Sequence, residues 1–499
     1  MKRKLAILVV FLLYAGTFLL PMSIAWQANG DPVCTNSYPQ ENPKICSDGA
    51  GGAIIAWLDY RNGGFHDIYA QRIDATGQKR WAAADILICN VTQEEGNIQM
   101  CSDGFGGAIL TWEDYRDFNK DIYAQRVDSA GNCLWDFNGV PIVTVSNYQD
   151  NPKLCSDGAG GAIIVWVDLR PNSNREDIYA QRITASGDLE WAPNGIAVCS
   201  AAGFQRGPQI IAAGAGGAII CWYDNRSYQD IYAQKLDSAG VPQWRANGTV
   251  ISNATNIQTG PQLCSDGSSG AIITWQDFRN GLGDANIYAQ RITSAGTAQW
   301  GNGTSICNSS NTQTSPQICS DNAGGGIICW YDFRSGGDFD VYAQRITQTK
   351  QIVWDLNGIV ICNATDNQNY PLICSDGANG AIIAWQDSRT DLAGDIYAQR
   401  VSASGEYLWE FNGAVVRNQT SEDTNQALTN AGPGAAIFTW QDDRNTPGKN
   451  GKNYDIFALK LPMSLGGNPG MLILLIFLIP IIGVCLGLVI LYLRREEPT

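Results

Sequence analysis

The sequence predicts an all-β fold: an eight-bladed β-propeller closed by an N-terminal strand, with one C-terminal transmembrane helix added to it. Three observations lead to this fold class. One phrase recurs eight times along the chain, each copy reads as four short strands joined by glycine turns, and two partial copies at the ends sum to one whole copy.

The clearest copy of the phrase is Cys46-Ser-Asp-Gly-Ala-Gly-Gly-Ala-Ile-Ile-Ala-Trp57-Leu-Asp-Tyr-Arg61, followed by Asp67-Ile-Tyr-Ala-Gln-Arg72. Its tryptophan recurs at positions 57, 112, 166, 222, 275, 330, 385 and 440, which gives a period of 53–56 residues. A second tryptophan lies 30 or 31 residues before each of these, so the copies contain all 16 tryptophans of the chain. A fixed period of this length is typical of repeat architectures.

Each copy is expected to hold four strands, called A to D. In the first copy strand A is Pro43–Ser47, strand B is Ala53–Asp59 and strand C is Asp67–Asp74, while strand D begins near Trp81. An Asp-Gly-x-Gly-Gly turn joins A to B, and an x-x-Gly turn joins C to D. Four strands per copy favour a propeller, and the alternative is an open β-solenoid.

The two ends of the repeated region favour a closed ring. The last copy has its strands A to C, ending with Asp455–Lys460, but no strand D with its tryptophan. The first copy is preceded by an orphan strand D that begins at Trp26 and reaches Cys34. Pairing the two fragments completes the eighth blade and leaves no open sheet edge.

The two termini predict secretion and membrane anchoring. Three basic residues precede an apolar run that ends at Leu20, and Ser23 and Ala25 are the small residues of a cleavage site, so residues 1–25 read as a signal peptide, with an uncleaved anchor as the alternative. Residues 26–462 form the propeller, 463–470 a linker, 471–493 an uncharged span long enough to cross a bilayer, and 494–499 a tail. Arg494 and Arg495 place that tail in the cytoplasm. The chain is therefore expected at the cell membrane, single-pass, with its propeller outside.

The charge of the chain excludes some partners. The formal net charge is −15 at pH 7, and an acidic surface repels phosphate, so nucleic acid is not expected as a partner. The single histidine, His66, argues against histidine-centred catalysis and histidine metal sites. Neither a cofactor nor a metal ion is expected.

The repeated phrase resembles that of the TolB-like, WD-repeat-like propeller family. The resemblance rests on Asp-Gly, an apolar strand and Asp-Ile-Tyr, and it extends over the whole repeated region. Ser47-Asp48-Gly49 lacks the proline of the family's Ser-Pro-Asp-Gly, and Trp-x-Asp-x-Arg is an addition. The resemblance implies a propeller fold but no activity, because propellers include both binding proteins and enzymes.

The two faces of the predicted disc differ in sequence. The A–B and C–D turns, which form the regular face, hardly change between copies. The B–C and D–A loops form the variable face, where the distance from the strand-B tryptophan to strand C ranges from 8 residues in the fourth copy to 15 in the eighth. Function usually lies in variable loops on a rigid scaffold, so we expect recognition on the variable face, turned away from the membrane.

An Asp and an Arg follow the strand-B tryptophan by two and four residues in every copy. Strand C opens with another Asp in seven of the eight copies, Asn286 being the exception. We expect the Arg to be clamped between these two carboxylates, which would fix the B–C hairpin. The alternative is a ring that binds a polyvalent or anionic ligand. The pairs are Asp59 and Arg61, Asp114 and Arg116, Asp168 and Arg170, Asp224 and Arg226, Asp277 and Arg279, Asp332 and Arg334, Asp387 and Arg389, and Asp442 and Arg444.

Eight sequons are candidate glycosylation sites, although loops rich in Asn, Ser and Thr also generate such triplets by chance. The sites in or at D–A loops are Asn90, Asn253, Asn308, Asn363 and Asn418; Asn225 is in a B–C loop, and Asn247 and Asn302 are expected on D strands. The pairing of the 15 cysteines stays open between bridges such as Cys34–Cys46 and buried free thiols.

These features predict a cell-surface binding protein, not an enzyme, that presents a rigid propeller to an extracellular protein or polysaccharide. One alternative is a glycan hydrolase or lyase, which would need one copy to break the pattern with an acid/base pair. The acids outside the pattern are Glu94, Glu95, Glu176, Glu422 and Asp423. The other alternative is a glycosylated structural spacer of the cell envelope.

Overall fold

The computed structural model describes residues 26–81, 85–172, 175–390, 394–419, 423–445 and 453–461. The predicted signal peptide, linker, transmembrane span and tail lie outside these residues. Among the residues described, none belongs to a helix long and apolar enough to cross a membrane.

The described residues form 32 strands arranged in eight four-stranded antiparallel sheets. The first strand, β1 (Asp31–Cys34), belongs to the last blade. Blades 1 and 2 are β2 (Gln40–Ser47), β3 (Ala53–Asp59), β4 (Asp67–Ile73) and β5 (Ile86–Cys89), then β6 (Glu95–Ser102), β7 (Ala108–Asp114), β8 (Asp121–Val127) and β9 (Val140–Val143). Blades 3 and 4 are β10 (Gln149–Ser156), β11 (Ala162–Asn172), β12 (Arg175–Ile183) and β13 (Ile196–Cys199), then β14 (Gln205–Gly214), β15 (Gly217–Asp224), β16 (Asp230–Leu236) and β17 (Thr249–Ser252).

Blades 5 to 8 repeat the same order of strands. Blades 5 and 6 are β18 (Gln258–Ser265), β19 (Ala271–Asp277), β20 (Asn286–Ile292) and β21 (Thr304–Cys307), then β22 (Gln313–Ser320), β23 (Gly326–Asp332), β24 (Asp340–Ile346) and β25 (Ile359–Cys362). Blades 7 and 8 are β26 (Gln368–Ser375), β27 (Ala381–Asp387), β28 (Asp395–Val401) and β29 (Ala414–Arg417), then β30 (Asp423–Asn430), β31 (Ala436–Asp442) and β32 (Asp455–Leu461).

The ring closes as predicted. β1 pairs antiparallel with β32, with Asp31 opposite Ala458, so blade 8 has the order β1-β32-β31-β30. The innermost strands contact one another around the ring, and β30 contacts β2. Trp26 Nε1 donates to the carbonyl oxygen of Ala75 (3.2 Å), just as Trp81 Nε1 of blade 1 donates to Ser129 O of blade 2 (3.1 Å). The closing seam thus uses the same contact as an internal seam, and the open solenoid is excluded.

The predicted strands match the observed ones closely, with one error. Strand B of the first copy is Ala53–Asp59 as predicted, and strand A begins earlier, at Gln40. The extension passes through a bulge at Asn42 (φ 54°), where the pairing register shifts. Strand D does not begin near Trp81 but at Ile86, because the tryptophan lies in the preceding turn and packs between blades.

The core lies between neighbouring blades and is built around the strand-B tryptophans. The eight of them are fully buried. In blade 2 the ring of Trp112 stacks on Tyr123 at 6.5 Å between centroids. Gly139 (φ 86°) passes over this ring so closely that a Cβ would lie 2.5 Å from Trp112 Cη2. That approach explains the Asn-Gly turn before strand D.

Candidate functional site

The predicted Asp–Arg ring exists and is buried. In blade 1, Asp59 Oδ2 accepts a hydrogen bond from Trp57 Nε1 (2.9 Å) and forms an ion pair with Arg61 Nη2 (2.6 Å). The guanidinium carbon of Arg61 lies 3.8 Å from the centroid of the Tyr69 ring. The Trp–Asp bond and the Asp–Arg ion pair recur in all eight blades, and each of these aspartates is fully buried.

Six of the eight arginines also contact the end of strand D in the preceding blade. Arg116 Nη2 donates to Asn138 O (2.8 Å) within blade 2 and lies 3.8 Å from Cys89 Sγ at the end of strand D in blade 1. The side chain of Asn138 in turn accepts a hydrogen bond from the backbone N–H of Asn90 (3.0 Å). In these six blades the Asp–Arg pair therefore connects the B–C corner to the neighbouring blade.

The predicted clamp between two carboxylates is wrong in its second partner. The aspartate that opens strand C is held by its own loop: Asn119 Nδ2 donates to Asp121 (2.7 Å), and Ser227 Oγ donates to Asp230 (3.0 Å). In blades 2 to 7 the arginine instead donates to a backbone carbonyl across the turn. In blade 1 its second partner is a different carboxylate, because Arg61 Nη2 lies 3.3 Å from Asp85 Oδ2. The B–C loop varies in length, so its donor to the strand-C aspartate differs from blade to blade.

A second repeated ion pair was not predicted from the sequence. Asp48 of the Ser-Asp-Gly turn accepts hydrogen bonds from the backbone N–H groups of Ala50 and Gly52 (both 2.8 Å). Its other oxygen accepts Nε (3.1 Å) and Nη2 (3.0 Å) of Arg72 from the end of strand C. Arg72 Nη1 continues to Ser129 O of the next blade (3.0 Å). The turn-forming aspartate is thus also an anchor between strands.

The sequence did contain a signal for this pair. Blades 4 and 8 lack the aspartate, and Ala213 and Ala431 take its place. In the same two blades the arginine is replaced by Lys235 and Lys460, which donate only to backbone carbonyls of the next blade. The two positions change together because a lysine does not provide the two-pronged contact that the aspartate accepts.

Blade 2 breaks a third repeated position. Strand A begins with a buried glutamine in blades 1 and 3 to 7, whereas blade 2 has Glu95, which is 1% exposed. The backbone N–H of Val91 donates to Glu95 Oε1 (3.3 Å), while Oε2 has no hydrogen-bond partner among the described residues. Burial raises the pKa of Glu95 to about 8.

Glu95 lies beside a thiol and a carboxylate, two groups that bind metal ions in other proteins. One donor atom each of Cys89, Glu95 and Asp114 lies within 4.8 Å of the others. Asp114 is already occupied, because Trp112 Nε1 (2.9 Å) and Arg116 (2.6 Å) bind its Oδ2 and the Arg116 backbone N–H binds its Oδ1 (2.9 Å). The arrangement is a buried acid beside a filled carboxylate.

The variable face carries an asymmetric group that we call the blade 2–4 cluster: Glu113, Lys120, Asp150, Glu176 and Arg206. Lys120 Nζ pairs with Glu113 Oε2 (3.2 Å), and Arg206 Nη2 donates to Glu176 Oε1 (2.6 Å). Asp150 lies between the two pairs. Burial raises its pKa to about 6, with Lys120 and Arg206 opposing the shift and Glu113 and Glu176 adding to it.

Aromatic rings accompany this cluster. Lys120 Nζ lies 5.7 Å from the ring centroid of Tyr115 and 5.9 Å from that of Tyr148, which is 50% exposed. The guanidinium of Arg206 lies 4.9 Å from the ring of Phe204. Charged groups and open aromatic faces therefore share one sector of the variable face.

A second aromatic group lies on blades 6 and 7 of the same face. Tyr331 contacts Phe339 (5.1 Å between centroids) and Tyr370 (6.1 Å), and Phe333 contacts Phe339 (4.9 Å). Tyr370 is 64% exposed and occupies the bulge position of strand A with φ 51°, where blades 1 to 3 have asparagine. A bulky residue in this conformation is unusual, and here it holds an aromatic ring at the surface.

The remaining acids outside the pattern do not form one site. Burial lowers the pKa of His66, with Glu41 and Glu94 opposing the shift, and the His66 ring lies 4.1 Å from that of Tyr60 in blade 1. Glu176 belongs to the blade 2–4 cluster. Glu422 and the side chain of Asp423 lie outside the described part of the chain.

The candidate glycosylation sites fall into two groups. Asn90, Asn253, Asn308, Asn363 and Asn418 occupy one equivalent exposed position directly after strand D, and Asn225 is exposed in its B–C loop. The expectation that Asn247 and Asn302 lie on D strands is wrong, because both precede the strand in the Asn-Gly turn. Their Oδ1 atoms accept hydrogen bonds from Ser200 N and Asn253 N (both 3.0 Å).

The cysteines of the described residues are free thiols, and most of them are buried. The bridge considered between Cys34 and Cys46 is not formed. Burial raises the pKa of Cys199 to about 12, so this thiol behaves as a small apolar side chain at neutral pH.

The likenesses of this chain to known proteins are distant. Neither a protein-family profile nor a curated protein sequence matches the chain. A puromycin hydrolase crystal structure is similar at 13% identity and TM-score 0.46, with 84% of this chain and 61% of that chain covered. An ulvan lyase is similar at 9% identity and TM-score 0.46, covering 86% and 96%, and the Pyrococcus horikoshii acylaminoacyl peptidase at 9% and 0.42, covering 81% and 57%. The chain is a β-propeller, and no family assignment follows from these likenesses.

Proposed function

We propose that the chain is a cell-surface binding protein whose variable face recognises an extracellular protein or polysaccharide. One observation carries the proposal: non-repeated charged and aromatic residues lie together on the variable face in the blade 2–4 cluster. The repeated polar residues are occupied with one another, as the Asp–Arg ring and the Asp48–Arg72 pair are. The repeated polar side chains thus stabilise the scaffold, and we propose that the non-repeated ones contact a ligand.

The chemistry of the cluster suits a polar ligand with flat apolar surfaces. Lys120 and Arg206 supply donors, and Asp150 and Glu176 supply acceptors. Tyr148 offers an exposed ring on which a sugar or an aromatic side chain stacks. The ligand class follows from this mixture, while its identity needs an experiment.

A pair of double variants tests the proposal. Glu176→Gln with Arg206→Gln removes an ion pair from the cluster, and Asp74→Asn with Arg80→Gln removes a comparably exposed ion pair from the C–D turn of the regular face. Soluble propeller and both variants are used to capture partners from surface extract and to probe a glycan panel. We expect the first variant to lose at least tenfold in affinity and the second to match the parent. Equal loss in both, or retention by both, contradicts the proposal.

A glycan hydrolase or lyase is the second candidate, and Asp150 is the observation that favours it. Its raised pKa lies near 6 beside Glu113 and Glu176, which is the kind of environment that a general acid requires. Asp150→Asn separates the two functions. Loss of glycan turnover with binding retained supports the enzyme, and unchanged turnover rules out Asp150 as the acid. If the propeller neither binds a ligand nor turns over a glycan, the glycosylated structural spacer is the remaining candidate.

The cellular location is proposed from the sequence. We propose that residues 471–493 anchor the chain in the membrane and that the variable face is exposed outside the cell. Epitope tags placed in the B–C loops should be accessible to antibody on intact cells. A tag after Thr499 should become accessible only after permeabilisation, and the reverse pattern overturns the topology.

A further inference from the structure

One residue per blade occupies the same register position halfway along the innermost strand. Each lies four residues after the first residue of strand A and pairs with the equivalent residue of strand B. The innermost strands of neighbouring blades contact each other around the ring, so this position lines the axis of the propeller. The residues are Lys44, Gln99, Lys153, Gln209, Gln262, Gln317, Leu372 and Ala427.

Two of these positions, Lys44 in blade 1 and Lys153 in blade 3, carry ammonium groups, and the neutral Gln99 of blade 2 comes between them in the order of the ring. Lys153 Nζ of blade 3 donates to Gln99 Oε1 of blade 2 (3.0 Å), and Gln99 Nε2 donates to Asn97 Oδ1 (3.0 Å). Lys44 belongs to blade 1, which adjoins blade 2 on the side opposite to blade 3. Burial and then repulsion by Lys44 lower the pKa of Lys153 to about 8, and burial lowers that of Lys44.

Neither ammonium has a carboxylate partner among the residues that the structure describes. The nearest acid that acts on Lys153 is Glu113, which is itself paired with Lys120 at 3.2 Å. The contrast with the arginines is sharp, because Arg61 and Arg72 and their equivalents are each paired with a buried aspartate. Two half-buried like charges without a counter-ion are costly unless an anion compensates them.

We propose that Lys44 and Lys153 form an anion site in the central channel, which binds a carboxylate or a small oxyanion. Each ammonium offers N–H donors, and Gln99 fixes the position of one of them. The glutamines at the same level of the channel provide further amide donors. An anion between the two lysines would neutralise their repulsion in a protein whose net charge is otherwise −15. This inference does not depend on the proposed function of the variable face.

The channel provides its own matched variants. Lys44→Gln and Lys153→Gln each install the residue found at this position in blades 2, 4, 5 and 6, so the fold is expected to persist. Lys79→Gln is the control, because Lys79 carries a charge on the outer C–D segment, 3.8 Å from Asp85, and lies away from the innermost strands. Circular dichroism establishes that each variant is folded before it is titrated.

The experiment is a titration of the full chain with inorganic phosphate and, separately, with glucuronate at constant ionic strength and pH 7, followed by calorimetry. We expect saturable binding to the parent and to Lys79→Gln. Binding should weaken at least tenfold in each channel variant and vanish in the double variant. Phosphate binding supports a free oxyanion as the ligand, and binding of glucuronate alone supports the carboxylate of a larger molecule. No binding of either anion, or equal binding by the double variant, overturns the proposal.

Amine modification gives a second measurement that does not need the variants. The bound anion should protect Lys44 and Lys153 from acylation, measured peptide by peptide by mass spectrometry, and should leave Lys79 unchanged. Protection of all three lysines to the same degree would show a general salt effect and contradict a site in the channel.

Discussion

Single side chains contribute unequally to the stability of this propeller, and we expect the buried aspartates of the Asp–Arg ring to contribute most. Asp114 binds the indole N–H of Trp112 and the guanidinium of Arg116 at once. Without its negative charge, this side chain would be a poor acceptor for both the indole N–H and the guanidinium. Breaking a buried ion pair in this way lowers the free energy of unfolding by several kcal/mol.

We predict that Asp114→Asn lowers the free energy of unfolding by about 3 kcal/mol. Asp117→Asn, three residues along in the exposed B–C loop, should change it by less than about 0.5 kcal/mol. Urea unfolding followed by tryptophan fluorescence measures both. Equal effects of the two variants would mean that the Asp–Arg ring contributes little.

Glu95 destabilises the fold when it is ionised, because its buried carboxyl occupies the position where six other blades have glutamine. Its pKa of about 8, against an ordinary 4.5, means that folding favours the neutral form. Folding therefore takes up a proton between these two values, so the fold loses stability progressively as pH rises from about 4.5 to about 8 and loses no more above that. Below pH 4.5 the carboxyl is neutral in both states and imposes no penalty.

We predict that Glu95→Gln stabilises the protein by about 2 kcal/mol or more at pH 9 and changes stability little at pH 4.5. The exposed neighbour Glu94→Gln is the control and should show no such pH dependence. Urea midpoints at the two pH values give the comparison. A gain for Glu95→Gln that is the same at both would show that the carboxyl is not held neutral.

At the level of elements, the sequence predicted strands and turns where the pattern is local. Strand B and the Asp-Gly turn follow from one run of apolar residues and from glycine, and both were located correctly. Strand D was not, because Trp81 resembles a strand residue but packs against the next blade from a turn. The second partner of Arg61 and the partner of Arg72 were missed for a similar reason: they are contacts between strands, and only the joint change in blades 4 and 8 points to one of them.

That joint change predicts coupling between the A–B turn and strand C. Asp48→Ala and Arg72→Lys should each destabilise the protein by about 2 kcal/mol, because each leaves a buried polar partner unmatched. The double variant copies blades 4 and 8, so its loss should be smaller than the sum by about 1 kcal/mol or more. Arg182→Lys, whose partner is Asp157, is the control and should combine additively with Asp48→Ala. Additivity in both combinations would contradict the coupling.

The whole ring depends on one seam that the chain does not join directly. β1 completes blade 8 by pairing with β32, and Val33, which is 1% exposed, is its buried centre. Val198 occupies the equivalent place in β13 of blade 3, where a short segment of chain links the strand to its neighbour β12. We therefore expect local opening at the closing seam to be easier than at any internal one, because no loop joins β1 to β32.

Val33→Ala and Val198→Ala remove the same two methyl groups from equivalent positions, so each should lower the free energy of unfolding by about 2 kcal/mol. Their local effects should differ. In Val33→Ala, the amide protons of β32 that face β1, near Ala458, should exchange with solvent before the rest of the propeller does. In Val198→Ala, β12 should exchange only together with its blade. Native-state hydrogen exchange at low urea distinguishes the two, and equal protection of β12 and β32 would show that the closing seam is as firmly held as an internal one. Early exchange confined to β32 would instead show that the pairing of β1 with β32 is the weakest contact in the closed ring.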